Sequence, residues 1–187
     1  GWFVFCFAAA LYTDYLPWFL VPLFLPYSLI SLLFVLPWFP LLWQQLRNGL
    51  SVAAANPEWG RVVGGFDPNA GPLTLIKFIF GRIPTQPIFA LPTIFYLWLL
   101  IQTKNKFLWL WLLLPLAIGF VLSIKISVFS YFRFLFVLPA FVLLLAATSA
   151  KRRWAAVLVV AVSLASLALF NLNPKFQREN WRGVVTY

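Results

Sequence analysis

Two cations stand close together just before a long apolar run. Arg133 lies in "YFRFLFVLPAF", residues 131–141, and Lys125 lies eight positions earlier in the same predicted turn. A guanidinium group presents paired donors that match phosphate oxygens. Two explanations are open. Arg133 extends its charged end to water while its stem lies along Phe132 and Phe134, or Arg133 and Lys125 converge on one phosphate group.

An acidic residue interrupts an apolar run near the start of the chain. Asp14 lies in "ALYTDYLPWFL", beside Tyr15. A carboxylate in the middle of a bilayer costs about 2.5–3.5 kcal/mol on insertion scales, and that cost largely disappears at an interface. Asp14 is therefore either an interfacial turn residue or, with Tyr15, part of a polar active-site wall. With no second acid nearby in the sequence, it is a weak candidate for a sole catalytic base.

The remaining candidate pair lies in "NPEWG". Glu58 is either a solvated loop acid or a contact for a sugar or acceptor, and Trp59 offers a ring for sugar stacking or membrane anchoring. The sequence contains no His and one cysteine, Cys6. We therefore expect no internal disulfide, no metal site and no cofactor.

Composition predicts the environment in which these residues act. Hydrophobic residues make up 63% of the 187 residues and charged residues 10%, whereas about a quarter of the residues in a soluble domain are charged. This balance predicts an integral membrane protein. The net charge is +10, and the basic residues lie in short connections between apolar runs. Anionic lipid headgroups or a phosphorylated lipid are therefore better partners than nucleic acid.

The apolar runs predict an all-α, polytopic bundle of about five to six transmembrane helices. One of these helices, Tyr27–Leu46, is bent by Pro37 and Pro40. The start, Trp2–Phe24, is either one helix or a helix that ends at Tyr12, followed by a tight turn and a half-helix to Pro26. The four clear segments are Pro87–Thr103, Phe107–Ile124, Phe134–Ala150 and Trp154–Phe170.

Four regions follow from this pattern. Residues 1–46 form proline-broken membrane helices, and residues 47–86 form a long extracytoplasmic loop in which "LTLIKFIFGRI" is a short interfacial helix. Residues 87–170 hold the four clear helices, and residues 171–187 begin an extracytoplasmic tail or a C-terminal domain that is missing here. A loop of this length is usually functional. The absence of Met and the end inside a polar stretch indicate a piece of a longer protein.

The orientation follows from short basic turns. "KNK" (104–106) and "KRR" (151–153) hold five basic residues in six positions, whereas the opposite connections hold nine in sixty-six. The opposite side therefore has more basic residues in total, but the two short turns have the higher density of them. The positive-inside rule is strongest in short loops near helix ends, so we place the two turns in the cytoplasm and the long loop outside.

Several segments, in order, resemble the GT-C membrane glycosyltransferases of family 39, the protein O-mannosyltransferase-like and lipopolysaccharide-sugar-transferase-like group. "ALYTDYLPWFL" is similar to that group's "LxTHYxxLL" helix end, and "LFVLPWFPLLWQQL" to its "LPWLPxLLxQ" helix end. "KFIFGRI" matches a loop element of some bacterial members. "YFRFLFVLPAFVLLLAA" resembles the "RYLLxxLPxLxLLxA" helix start, and "QRENWRGVVTY" resembles "xxDWRGAAxYL" before the extracytoplasmic C-terminal domain.

The resemblance implies transfer of a sugar from a polyprenyl-phosphate carrier to a lipid, glycan or protein acceptor, outside a bacterial or archaeal plasma membrane. It implies that Arg133 lies near the carrier's phosphate and that the catalytic carboxylate lies upstream of Gly1. The chain departs from the pattern at Asp14, where the family commonly has His or Lys. The alternatives are a transporter or lipid flippase, in which broken helices line a substrate path, and a non-enzymatic assembly subunit.

The orientation can be tested by cysteine labelling in intact cells after Cys6 is replaced. Cysteines at Asn105 and Arg152 should be shielded from an impermeant thiol reagent, because the dense basic turns are retained in the cytoplasm. Cysteines at Asn69 and Asn180 should be labelled. The reverse pattern would contradict the orientation, and permeabilised cells provide the control for reactivity.

Overall fold

The regular structure is helical throughout the residues that the computed structural model describes, which are 2–55, 67–81, 83, 87–124 and 129–173. The all-α prediction is confirmed for this part of the chain. The helices are α1 (Trp2–Thr13), α2 (Leu25–Val35), α3 (Phe39–Ala55), α4 (Ala70–Phe80), α5 (Ala90–Ile101), α6 (Lys106–Leu122), α7 (Leu138–Ser149) and α8 (Arg153–Leu172).

The broken-element alternative is the correct one at the start of the chain. Helix α1 ends at Thr13, and a 3₁₀ helix runs over Leu16–Leu20 with Pro17 in its first turn. The predicted end of this half-helix at Pro26 is wrong, because α2 already begins at Leu25. Proline lacks a backbone N–H, so it fits a helix start, where that donor has no helical acceptor.

The predicted bend at Pro37 is also present, as a 3₁₀ turn over Leu36–Trp38 between α2 and α3. The predicted end of this helix at Leu46 is wrong, because α3 continues to Ala55. Asn48 and Gly49 suggest a loop, but the segment after them is rich in alanine, the strongest helix former. Residues 47–55 of the predicted loop therefore belong to α3.

The short helix predicted in "LTLIKFIFGRI" is present as α4, and its interfacial position stays a prediction. It ends where Gly81 adopts a φ of 69°, with the Gly81 N–H donating to the Lys77 carbonyl at 2.8 Å. Glycine tolerates this left-handed conformation, which terminates helices. The Lys77 ammonium donates to the Ile83 carbonyl at 2.8 Å, so the lysine contacts the backbone that follows the helix.

Two helical stretches in the described residues are long and apolar enough to cross a membrane, Tyr27–Gly49 with 23 residues and Arg153–Leu172 with 20. The other predicted spans are helical but shorter: Pro87–Ile101, Lys106–Leu122 and Leu135–Ser149 lie in the range of 10–17 residues. A helix rises about 1.5 Å per residue, so 17 residues extend about 26 Å.

The chain divides into two units, Gly1–Gly71 with Lys106–Phe141, and Pro72–Asn105 with Val142–Tyr187. In the first unit, α1 packs on α2, and α6 contacts the 3₁₀ helices Leu16–Leu20 and Leu135–Val137. The apolar core of this unit, called here the first core, is formed by Phe7, Leu11, Leu20 and Val35, against which Trp18, Trp38, Trp111 and Phe136 pack, among others.

In the second unit, two threonines join α5 to α7. Thr103 Oγ1 lies 3.0 Å from the Leu144 carbonyl oxygen, and Thr148 Oγ1 lies 3.0 Å from that of Leu99. The two hydroxyl oxygens also contact each other. The Tyr96 hydroxyl donates to the Val159 carbonyl of α8 at 3.0 Å. Hydrogen bonds between helices therefore hold this unit together.

One close approach fixes the segment that contains Arg133. Phe134 is fully buried, with its ring 4.7 Å from that of Phe129. A Cβ placed on Gly119 of α6 would lie 2.2 Å from Phe134 Cζ. Only glycine leaves room at this position, so the turn at residues 131–134 is seated directly against the backbone of α6.

Gly119→Ala should destabilise the protein, because its methyl group would overlap the Phe134 ring. Overpacking of this kind costs about 1–3 kcal/mol in the free energy of unfolding. Gly49→Ala is the matched control, since its added Cβ meets nothing within 4 Å and alanine in a helix gains about 0.5–1 kcal/mol. Denaturant unfolding in detergent micelles measures both. Equal stabilities would contradict the close approach.

Candidate functional site

Asp14 lies in the turn that follows α1. Its side chain is exposed, and its Oδ1 accepts a hydrogen bond from the Leu16 N–H at 3.2 Å. This contact from an aspartate to the backbone two residues later is typical of a turn. The turn conformation is confirmed by this geometry, whereas the interfacial position and a role in an active-site wall stay predictions.

Three aromatic residues, called here the aromatic clamp, join that turn to the break between α2 and α3. The Tyr12 hydroxyl donates to the Phe34 carbonyl at 2.7 Å, and the Tyr15 hydroxyl donates to Gln45 Oε1. The centre of the Trp38 ring lies 5.4 Å from that of the Tyr12 ring and 6.4 Å from that of the Tyr15 ring. The clamp consists of Tyr12, Tyr15 and Trp38.

The clamp contains partners that sequence reasoning missed. The sequence predicts Tyr15 as a site residue, but it does not indicate Tyr12, Trp38 or the hydrogen-bond partner Gln45. The available signal was a glutamine pair at the end of the apolar "LLWQQL", since an amide in such a run needs a hydrogen-bond partner. The position of that partner, thirty residues earlier, depends on how α1 packs against α2.

Arg133 is half-buried in the turn before α7. Its N–H donates to the Ser130 carbonyl at 2.9 Å, and its guanidinium carbon lies 6.0 Å from the centre of the Phe132 ring. This is the outer limit of a cation–π contact. The expected contact with Phe132 is present, whereas Phe134 is buried against Gly119.

The other predicted site residues are not placed. Lys125, Glu58 and Trp59 lie outside the described residues. The expected convergence of Lys125 with Arg133 and the expected role of "NPEWG" therefore stay predictions.

The Asp14 turn and the Arg133 turn rest on the same core. Leu11 and Leu20, which flank the Asp14 turn, belong to the first core, and Phe136, three residues after Arg133, packs against it. The turn that carries Asp14 and the turn that carries Arg133 are thus anchored by one apolar cluster. Their carboxylate and guanidinium groups can bind a hydroxylated or phosphorylated ligand. Among the described residues no group of three or more His, Cys, Asp or Glu could hold a metal ion.

Comparisons of the chain with family models, with curated proteins and with solved structures find no match.

A double-mutant cycle between Tyr15→Phe and Gln45→Ala tests the clamp. Tyr15→Phe keeps the ring beside Trp38 and removes one hydrogen bond. We expect a coupling of about 0.5–1.5 kcal/mol in the free energy of unfolding, the usual net value of such a bond. Detergent unfolding of the four proteins measures it.

Tyr27→Phe is the control for the loss of a hydroxyl. Tyr27 is exposed on α2, and within the described part of the chain its hydroxyl has no hydrogen-bond partner. A cycle between Tyr27→Phe and Gln45→Ala should show no coupling. A coupling near zero for Tyr15 and Gln45 as well would refute the contact.

Proposed function

We propose that the protein crosses the membrane several times. Its helices expose large apolar side chains that water would not tolerate together, including Trp2 at 84% exposed, Leu91 at 79% and Leu172 at 81%. Soluble monomers rarely expose large contiguous apolar patches. Lipid tails covering these faces would remove the free-energy cost of exposing them to water. The two long apolar helices are consistent with this environment.

We further propose that the protein is part of a membrane glycosyltransferase that takes its sugar from a polyprenyl-phosphate carrier. One observation carries this proposal. Three segments that resemble the family, residues 10–20, 33–46 and 131–147, contribute side chains to the first core or pack on it. These segments are far apart in the sequence. Their assembly around one core is what a shared active site would require.

In the proposed reaction, an acceptor hydroxyl attacks the anomeric carbon of the carrier-linked sugar. The new bond joins the acceptor oxygen to that carbon, and the bond from the carbon to the phosphate oxygen breaks. The acceptor's proton passes to a carboxylate base. The polyprenyl phosphate leaves with additional negative charge.

Arg133 would act on this leaving group. A cation beside the phosphate stabilises the transition state more than the ground state, because negative charge grows there as the sugar departs. The seat of Phe134 on Gly119 would keep the adjoining guanidinium in place. Asp14 and Tyr15 would line the site, and the bond from Tyr15 to Gln45 would orient the phenol.

A transporter or lipid flippase is the second candidate. It is favoured by the two helix breaks, at Leu16–Leu20 and at Leu36–Trp38, because broken helices line the substrate path in many transporters. Release of free polyprenyl phosphate during turnover would favour the enzyme, since a flippase moves its lipid without cleaving it.

Arg133→Ala in the full-length protein should lower turnover by about tenfold to a hundredfold, the effect expected when a charge-assisted contact is lost. Arg133→Lys should retain part of the activity, because lysine keeps the charge and loses the two-pronged geometry. Lys125→Ala should do less harm. The measurement is transfer of radiolabelled sugar from a polyprenyl-phosphate donor in purified membranes, normalised to protein level.

Arg47→Ala is the matched control. Its guanidinium also lies over a nearby aromatic ring, 5.3 Å from the centre of Trp43, and it has no part in the proposed site. Turnover of the Arg47 variant should be close to that of the unmodified protein. Transfer at the unmodified rate by Arg133→Ala would show that Arg133 is only an interfacial anchor.

A further inference from the structure

The second unit contains a polar cavity that the proposed reaction does not use. It has a volume of about 370 Å³ and lies where α5 and α7 end. A cavity of this size falls within the range of small-ligand sites. Its lining includes Thr103, Lys104, Asn105, Thr148, Lys151 and Arg152.

The charges around the cavity are unbalanced. Three cations line it, Lys104, Lys151 and Arg152. The four acids of the chain are at positions 14, 58, 67 and 179, and the described part of the second unit contains none of them. The cavity cations therefore have no carboxylate from the described residues of their own unit to pair with.

The partial charges at the helix ends reduce the positive charge of the cavity only in part. The carboxyl ends of α5 and α7 each carry about half a negative charge, and the amino end of α8 carries about half a positive charge. About two and a half positive charges remain. The first turn of α8 contains no acid, and no side chain caps it. Such a helix start favours an anion.

Contacts with neighbouring residues hold the side chains and helices of the cavity wall in place. The Arg152 guanidinium carbon lies 5.0 Å from the centre of the Trp98 ring, which lies 6.1 Å from the Trp154 ring at an angle of 29°. The hydrogen bonds at Thr103 and Thr148 join the two segments that contribute the lining residues. A cation held on an aromatic face loses less freedom when it binds a ligand.

We propose that this cavity binds the phosphate group of a phosphomonoester. Such a group carries about −1.5 to −2 charge at neutral pH and three acceptor oxygens. Two lysines and one arginine match this charge, and their N–H groups match the acceptor oxygens. The residues that line the cavity all belong to the second unit, whereas Arg133 belongs to the first.

The phosphate has two possible sources, a lipid headgroup and free phosphate. Trp98 and Trp154 support the lipid headgroup, because tryptophans next to cations are typical of the membrane–water boundary. Free phosphate can reach the cavity without a membrane. The experiment therefore offers the protein a phosphorylated lipid and, separately, free phosphate.

Native mass spectrometry of the full chain in detergent gives the dissociation constants for phosphatidic acid and phosphatidylserine. Phosphatidic acid has a monoester phosphate, and phosphatidylserine has a diester phosphate with one net negative charge. We expect tighter binding of phosphatidic acid. Lys104→Gln, Lys151→Gln and Arg152→Gln should each weaken it by about tenfold, the effect of losing a charge-assisted contact.

Two further basic residues in the same turns are matched controls. Lys106 and Arg153 are exposed and lie outside the cavity lining, and Lys106→Gln and Arg153→Gln each remove one charge. Both should bind phosphatidic acid within twofold of the unmodified protein. Thermal unfolding of all five variants checks that the fold is retained.

Inorganic phosphate is tested by calorimetry on the delipidated protein. Binding of inorganic phosphate without phosphatidic acid, lost in the three lining variants, would support the cavity with free phosphate as its source. An equal loss of lipid binding in lining and control variants would overturn the proposal, because it would show diffuse attraction to charge. No effect of the lining variants on either ligand would overturn it as well.

Discussion

The contact between the Phe134 ring and α6 at Gly119 is the constraint on which the first unit depends. Helix α6 also contacts the 3₁₀ helix Leu16–Leu20, so one helix supports both polar turns. Phe134 brings the chain onto α6, and two residues later Phe136 packs against the first core. A larger residue at position 119 would force the ring away, and the chain on both sides of it would have to move.

Small hydroxyl groups join the helices where charged pairs would be costly. Ser31 Oγ lies 3.1 Å from the Val4 carbonyl oxygen, which links α2 to α1. Ser28, which is fully buried, lies 3.1 Å from the Val21 carbonyl oxygen. Thr103 and Thr148 play the same part in the second unit. Hydroxyl-to-carbonyl bonds suit an apolar environment, because they satisfy backbone groups and bury no charge.

The sequence predicts the helices well because their cause is local. Long apolar runs and prolines mark where helices run and break, as at Pro17 and Pro37. The end of α3 was misplaced since Asn48 and Gly49 resemble a loop, while the following residues favour a helix. The partners of Tyr15 and Thr103 could not be predicted, because they lie thirty and forty-five positions away and depend on which helices pack together. The density of "KNK" and "KRR" placed the two turns on one side, but a cavity between them depends on the register of α5 against α7.

The length of the helices has a further consequence if they lie in lipid. Pro87–Ile101 and Leu135–Ser149 have 15 residues each, so each extends about 23 Å against a hydrocarbon layer of about 30 Å. Acyl chains around such helices must compress, at a fraction of a kcal/mol for each ångström of mismatch. The thickness of the surrounding bilayer then becomes part of the energetics of the fold. Short-chain lipids would relieve this mismatch, and thick, ordered membranes would exclude the protein or gather its copies together.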